Sequence, residues 1–485
     1  PDSARDDGGC MATLTKNTAY MTAASVGQKV LSFLYFTMIA RMVGAEGTGK
    51  YFLALSFTTI FAVVSDFGLA PTLSREVARK PEKASAFLGN ILAVKIFFII
   101  ATYLGVIMVA NWFNYPLDTR QLIYLSGLTM IFDSIHLSFY AVLRGLHTLR
   151  YEATAIIGSQ ATTLVIGTVA LLYGAPLIWL IAAFTIPSFL NVLYSGTMLV
   201  KRAKVRIKFR WNKKLIKTLL KIALPFALAG IFTRVYSFSD TVILSKLAGD
   251  AAVGWYSIPN KITFAFQFIP LALVAALYPQ MSEAFICDKN RLKNLFERAM
   301  KYLIIAALPI SVGVGVLAPD IILSIYTSEY TASILPLQIL LVSLIFAFLD
   351  FPIGALLNGC NRQKIQTTVM GTAMVVNVGL NFLMIPLWGV VGAAVAALLG
   401  NIVLMVGGYV FVPKVIAVPH MRLLGMFLSA GAVAAVMGVV VWGTKSIIPW
   451  YLTIPLGGVV YLGGLLLVKL VSFQDLKRAK FRLQS

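Results

Sequence analysis

The chain is a succession of apolar runs, each about as long as a lipid bilayer is thick, separated by short polar breaks. No other feature constrains the fold as strongly. A helix crossing the hydrocarbon core needs roughly 20 apolar residues, and only helices or closed barrels satisfy their backbone groups there. Barrel strands would alternate over segments of about ten residues, whereas these runs are longer and continuous. Fourteen can be placed, with cores near 17–42, 51–72, 85–111, 121–143, 153–174, 177–199, 219–246, 252–282, 300–318, 333–357, 366–386, 390–412, 422–443 and 451–469. Pro259, Pro270, Pro279 and Pro309 fall inside the eighth and ninth, where membrane helices tolerate them as kinks. Composition agrees: 59% of the 485 residues are hydrophobic and 12% charged, with a mean hydropathy of +0.84. Soluble domains carry about 25% charged residues. An ordinary soluble enzyme, a disordered chain and a disulfide scaffold are excluded, and the expected class is an all-α polytopic membrane protein.

The net charge is +22 and the isoelectric point 9.9. In a soluble chain that would suggest nucleic acid. Here the positive-inside rule accounts for it. With the N-terminus in the cytoplasm, 31 cations fall on inside segments, and five (Arg41, Lys50, Arg120, Lys246 and Lys445) fall outside. One helix too many or too few would invert every later loop, so both termini are expected in the cytoplasm of a cell-membrane protein. The longest basic run, KRAKVRIKFRWNKKLIK from Lys201 to Lys217, reads as a linker on anionic headgroups, with no nucleic-acid partner. Cys10, Cys287 and Cys360 form no framework or metal pattern. PDSARDDGGC, residues 1–10, precedes Met11 and is expected to be a cloning remnant outside the natural fold.

The chain repeats itself. At an offset of 205, Lys29 meets Arg234, Arg41 meets Lys246, Gly44 meets Gly249, Gly49 meets Gly254 and Tyr51 meets Tyr256. At an offset of 214, Gly145 meets Gly359 and Arg150 meets Lys364. Both copies start on the same side, so the repeat is parallel, about an axis along the membrane normal, as in transporters built from two lobes. The expected organisation is an N-lobe of six spans at 11–200, a basic linker at 201–217, a C-lobe of six at 218–412, and two further spans with a basic tail at 413–485.

A charge at the bilayer centre costs at least ~2.5–3.5 kcal/mol and normally faces protein or a wet cavity. The cations so placed are Lys29, Lys95, Arg234 and Lys261. Lys29 and Arg234 sit at equivalent points of the repeat, and Lys261 follows Pro259 and Asn260, where a kink would open the backbone. Lys29, Arg234, Lys261, Asn260 and Lys95 are the candidate substrate-binding residues. Asp66, Arg75, Asp133 and Asp240 are the candidates for gating or ion coupling. Lys95 with Asp133 also reads as a structural ion pair. Asp66, ahead of Gly68, Pro71 and Arg75, reads either as a latch or as a helix-end pair, and Asp240 either binds a cation or caps a helix. His136 and His147 read as structural. No metal cluster, phosphate loop or nucleophile motif is present.

The strings ARMVGAEGTGKYFLALSF, DFGLAPTLSREVAR and AVLRGLHTLRYEA resemble those of the MOP superfamily of flippases and exporters, and most nearly its polysaccharide-transporter branch. The resemblance runs from about Thr13 to the last span. It implies two six-helix lobes around a central cavity, with two helices beside them, and alternating access without ATP. It also implies a lipid-linked saccharide as substrate, whose (pyro)phosphate Lys29, Arg234 and Lys261 would hold. The coupling is expected to use a Na+ or H+ gradient or the membrane potential, with no cofactor. Candidate partners are a polysaccharide polymerase or glycosyltransferases, with a monomer as the working unit. Lipid II flippases share the fourteen spans and remain the alternative, with a multidrug antiporter behind them. A membrane-embedded transferase would need catalytic groups and a soluble loop that this chain lacks, so no enzyme is expected.

Overall fold

The computed structural model describes residues 7–471, with side chains from Gly27 onward. Residues 1–6, the side chains of Cys10 and Lys16, and the tail from Ser472 on lie outside the described residues. Among the described residues there are fifteen α-helices and no strand. Twelve helical segments are long and apolar enough to cross a membrane. Two of them cross twice. Helix α1 (Asp7–Asp66) breaks at Gly44, with φ 81° and ψ 177°, and α13 (Gln363–Tyr409) breaks at Gly389, with φ 54° and ψ −125°. Only glycine adopts such angles without strain. The 40 residues from Gly27 to Asp66 would make about 60 Å of straight helix, twice a bilayer core. Counting each half gives the fourteen spans of an all-α membrane protein.

Sequence and structure differ at two span ends. The second span, expected to run past Gly68 to Thr72, stops at Asp66. Phe67 and Gly68 both turn left-handed, at φ 48° and 67°. The chain then restarts as the amphipathic α2 (Leu69–Arg79), which buries Leu69, Ala70, Thr72, Leu73 and Val77. The eighth span is split into α8 (Asp250–Phe266) and α9 (Phe268–Cys287). Pro270 has no N–H to offer the preceding turn, and the Gln267 N–H bonds tightly back to the Phe264 carbonyl at 3.2 Å.

The chain forms two compact units, residues 1–254 and 255–485. The first holds α1, α2, α3 (Ala84–Trp112), α4 (Leu117–Gly145), α5 (Arg150–Leu172), α6 (Ile178–Lys201) and α7 (Lys213–Ala248). Helix α7 packs against α1, α2 and α3, so the basic segment at 201–217, read as a lobe boundary, lies inside this unit. One apolar core ties the unit together at that end: Leu69, Leu73 and Val77 of α2, Leu88 and Ile91 of α3, Phe139 and Leu143 of α4, Leu199 of α6, and Leu219 and Ala223 of α7. The second unit is centred on α12 (Ile334–Gly359), which packs against α13, α10 (Lys289–Val316) and α9. Helices α14 (His420–Thr444) and α15 (Trp450–Leu467) pack against each other and against α10.

The repeat has a counterpart in the backbone. Gly249 has φ 87° and ψ 172°, the conformation of Gly44, 205 residues earlier. Five residues on from each, the contact is reciprocal. A Cβ on Gly49 would lie 1.8 Å from the Asp250 carbonyl oxygen, and one on Gly254 would lie 2.0 Å from the Ala45 carbonyl oxygen. Asp250 and Ala45 are themselves 205 apart. Residue i touching j while j's equivalent touches i's equivalent is the signature of a two-fold relation. Chance matches between glycines would not produce it.

Candidate functional site

In the first unit a polar face of α4 meets α1, α3 and α6. Thr58 Oγ1 of α1 meets Ser126 Oγ at 2.6 Å, and Thr129 Oγ1 meets Thr185 Oγ1 of α6 at 2.7 Å. Farther along α4, Asp133 Oδ1 accepts from Ser188 Oγ at 2.6 Å and pairs with His136 Nε2 at 3.0 Å. One turn on comes Lys95 of α3, only 1% exposed. Its ammonium donates to Asp66 Oδ1 at 2.8 Å, the Ser134 carbonyl at 2.6 Å and Ser138 Oγ at 2.7 Å. All three N–H donors are used, which is what a buried ammonium requires.

This arrangement corrects the pairing expected from sequence. Lys95 is bound to Asp66 rather than Asp133, because the break at Phe67–Gly68 leaves Asp66 as the last residue of α1, facing α3. Asp66 Oδ2 also accepts from the Ala70 N–H at 3.4 Å in the first turn of α2. Arg75 is exposed on α2 and makes no ion pair among the described residues; the ion pair at this helix end is Asp66 with Lys95. The DFGL string is thus a bend, a cap and an anchor together. Gly68 seats against α7, where a Cβ would lie 2.7 Å from the Ala223 carbonyl. Gly145 of the third resemblance string seats on α2 in the same way, 2.8 Å from the Ser74 carbonyl.

The remaining candidates lie on long spanning helices. Lys29, on the first half of α1, is half-buried. Arg234, on α7, is exposed and lies within ion-pair reach of no carboxylate among the described residues. Asp240, six residues further along α7, is buried, and its Oδ1 accepts from the Thr241 N–H at 2.7 Å. In the second unit, Asn260 and Lys261 are half-buried on α8, just past Pro259. Among the described residues no cluster of three or more histidines, cysteines or acids could hold a metal.

Sequence reasoning passed over Asp350 of α12. Its Oδ1 is buried without a hydrogen-bond partner, near the space left by Gly408 of α13. The signal was available: it is the only charge in the apolar stretch IFAFLDFPIGALL. Glu152 and Glu297 were missed as well, and both are buried and ion-paired, to Arg144 at 3.1 Å and to Arg422 at 3.2 Å.

A family profile described as "Polysaccharide biosynthesis protein" matches residues 14–285, more than half of the chain. The chain belongs to the polysaccharide biosynthesis protein family. A second profile, MatE, matches residues 225–383, and the two together place it in the MOP superfamily. Among relatives, the "probable low-salt glycan biosynthesis flippase Agl15" of Haloferax volcanii is 22% identical over 80% of each chain. The lipid II flippase MurJ of Bacillus subtilis is 22% identical over 90% of this chain and 89% of its own. A solved structure of lipid II flippase MurJ in an inward closed conformation superposes with a TM-score of 0.74 at 16% identity, over 92% of this chain and 97% of that one. At that identity the superposition speaks for the fold: a multi-pass helical membrane protein. Both relatives are named as flippases, the first as a probable one, in keeping with the reading of this chain as a transporter rather than an enzyme.

Proposed function

We propose that this family member is a flippase that carries a polyprenyl-(pyro)phosphate-linked saccharide from the cytoplasmic to the outer leaflet by alternating access. The cations of its spanning helices hold the anionic headgroup. The observation that carries the reading is a contrast among those cations. Lys95 is only 1% exposed, whereas Arg234 is exposed and Lys29 and Lys261 are half-buried. Lys29 and Arg234 also occupy equivalent points of a repeat whose glycines share both conformation and contact. An accessible cation at membrane depth has a reason to persist if an anion visits it, because a phosphate there needs charge-assisted donors to replace its hydration. Asn260, beside Lys261, adds an amide donor and acceptor. Lys95 and Asp66 act indirectly, by fixing α1, α3 and α4 to one another.

No nucleotide-binding motif is present, so a potential or an ion gradient drives the cycle. An elementary charge crossing the membrane is worth ~2.3 kcal/mol per 100 mV, and an inside-negative potential favours an anion leaving. Asp240 is the acid assigned to ion coupling.

The test is headgroup flipping in proteoliposomes with the lipid-linked saccharide that copurifies with the protein, identified by mass spectrometry. Lys29→Ala, Arg234→Ala and Lys261→Ala are each expected to abolish flipping while the protein still folds, and Lys29→Arg or Lys261→Arg to retain part of it. Normal flipping by all three alanine variants would overturn the assignment. Copurified lipid II would redirect the substrate without touching the site.

A further inference from the structure

Between α6 and α7 the basic segment is neither helix nor strand, and it is fixed in place. Ser85 Oγ of α3 donates to the Arg206 carbonyl at 2.6 Å. The Arg210 N–H donates to the Gly89 carbonyl at 3.3 Å, and the Asn212 N–H to Asn90 Oδ1 at 2.7 Å. Gly89 is obligatory for this contact, since a Cβ there would lie 2.1 Å from the Lys208 carbonyl oxygen. Asn90 is 2% exposed, and its own Nδ2 is tied to the Ala86 carbonyl at 2.8 Å. Val205 is buried in the apolar core of this end of the unit, and Ile207 packs against that core.

The alternation this imposes matters more than the net charge. With Val205 and Ile207 turned inward, Lys204, Arg206 and Lys208 are all exposed, and Arg210 continues the series. None of the four lies within ion-pair reach of a carboxylate among the described residues. Beyond the core the residues alternating with the cations become aromatic and exposed. Phe209 is 64% and Trp211 63% exposed, and Trp211 packs edge-on against Phe97 of α3, itself 63% exposed, with ring centroids 5.8 Å apart. Exposed aromatic rings at the ends of spanning helices favour the membrane–water interface. Cations beside them fall at the depth of lipid phosphates.

We infer that residues 204–211 are a preorganised rail for the phosphates of anionic membrane lipids, with Lys204, Arg206, Lys208 and Arg210 as the donors and Phe209 and Trp211 as the interfacial anchor. A flexible polybasic linker would attract the same lipids, but it would pay ordering entropy to do so. This segment is already ordered by α3. The inference stands apart from the transport reading, because it predicts binding by the resting protein whatever is flipped.

The test places the full chain in nanodiscs of phosphatidylcholine with and without phosphatidylglycerol. Bound lipid is counted by native mass spectrometry, and amide exchange is followed over 204–211. Phosphatidylglycerol is expected to bind and to slow exchange there. Each cation replaced by serine should weaken binding about fivefold. The decisive variants keep every charge. Gly89→Val displaces the Lys208 carbonyl and Asn90→Ala removes the anchor of Asn212, and both should lower phosphatidylglycerol binding several-fold while α3 keeps its exchange protection. Unchanged binding in Asn90→Ala and Gly89→Val would overturn the inference in favour of diffuse attraction. Equal displacement by free inorganic phosphate would overturn the assignment to lipid.

Discussion

The interiors of the two units are held by different chemistry. In the first, helices α1, α3, α4 and α6 are joined by hydroxyl pairs and by a buried ammonium–carboxylate pair, Lys95 with Asp66. In the second, neutral amides take that part around α12 and α13. Asn377 Nδ2 donates to the Ala396 carbonyl across the two halves of α13 at 3.1 Å, Asn381 Nδ2 to the Asn377 carbonyl at 2.9 Å, and Asn401 Nδ2 to Ser343 Oγ at 2.8 Å. Yet the opening segments of the two repeats share their glycine conformations and contacts. Backbone geometry has survived duplication where side-chain chemistry has not. Close approach of two backbones admits one solution, glycine, whereas a buried polar face can be satisfied in many ways.

The largest effect tests the shared part. Gly49→Val and Gly254→Val each drive a side chain into a backbone carbonyl, at 1.8 Å and 2.0 Å already for the Cβ. Overpacking against movable side chains costs about 1–3 kcal/mol, and backbone yields less. Both variants are expected to lose folded protein in detergent size-exclusion profiles, and to similar degrees. A tolerated valine at one site and loss at the other would break the equivalence of the repeats.

Next comes the part that differs. Lys95→Met leaves Asp66 charged beside an apolar chain, and removing one partner of a buried pair costs about 3–5 kcal/mol. Thermal unfolding in detergent should fall steeply for Lys95→Met and recover substantially in Lys95→Met with Asp66→Leu. No recovery in the double variant would mean that Asp66 is needed for more than neutralising Lys95, its cap on α2 included.

How much of this was legible follows from the range of each interaction. The fourteen spans were legible because length and apolarity are local properties. The pairing of the repeats was legible through spacing. The partner of Lys95 was not, because it depends on where α1 ends. That in turn depends on two consecutive left-handed residues, one of which, Phe67, carries no signal for such a conformation. The fixed basic segment was read as a linker because Ser85, Gly89 and Asn90, which hold it, lie more than a hundred residues away and look like ordinary small helix residues. For the proposed site, the residue types Lys29, Arg234 and Lys261 and their places within apolar runs were read from sequence. Their exposure, relative to the sealed Lys95, needed coordinates.

A smaller effect belongs to the amides. Asn377→Leu removes the bond that ties the two halves of α13 across the break at Gly389. Side-chain hydrogen bonds in membrane proteins are worth about 0.6 kcal/mol on average and up to about 1.7, so a modest drop in melting temperature is expected. It should be well below that of Lys95→Met. An equal drop would mean that neutral amides hold the second unit as strongly as a charge pair holds the first.

The smallest effect is expected at Asp350, and its direction is informative. Asp350 Oδ1 is buried without a hydrogen-bond partner, so the native state already bears a desolvation cost that Lys95 spares Asp66. Asparagine has the same shape and no charge. Asp350→Asn therefore removes that cost, while the new amide N–H atoms bring a need for acceptors of their own. The two terms oppose each other, and the net change should lie within about 1 kcal/mol, on the stabilising side if the carboxylate is ionised. Melting temperature and flipping measured on the same preparation separate the two roles a lone acid can have. Unchanged stability with normal flipping would make Asp350 a tolerated imperfection of the second unit. Unchanged stability with lost flipping would mean that its unpartnered oxygen is used during the cycle. A large loss of stability would reveal a partner for the carboxylate, and the contrast between a paired Asp66 and an unpartnered Asp350 would fail.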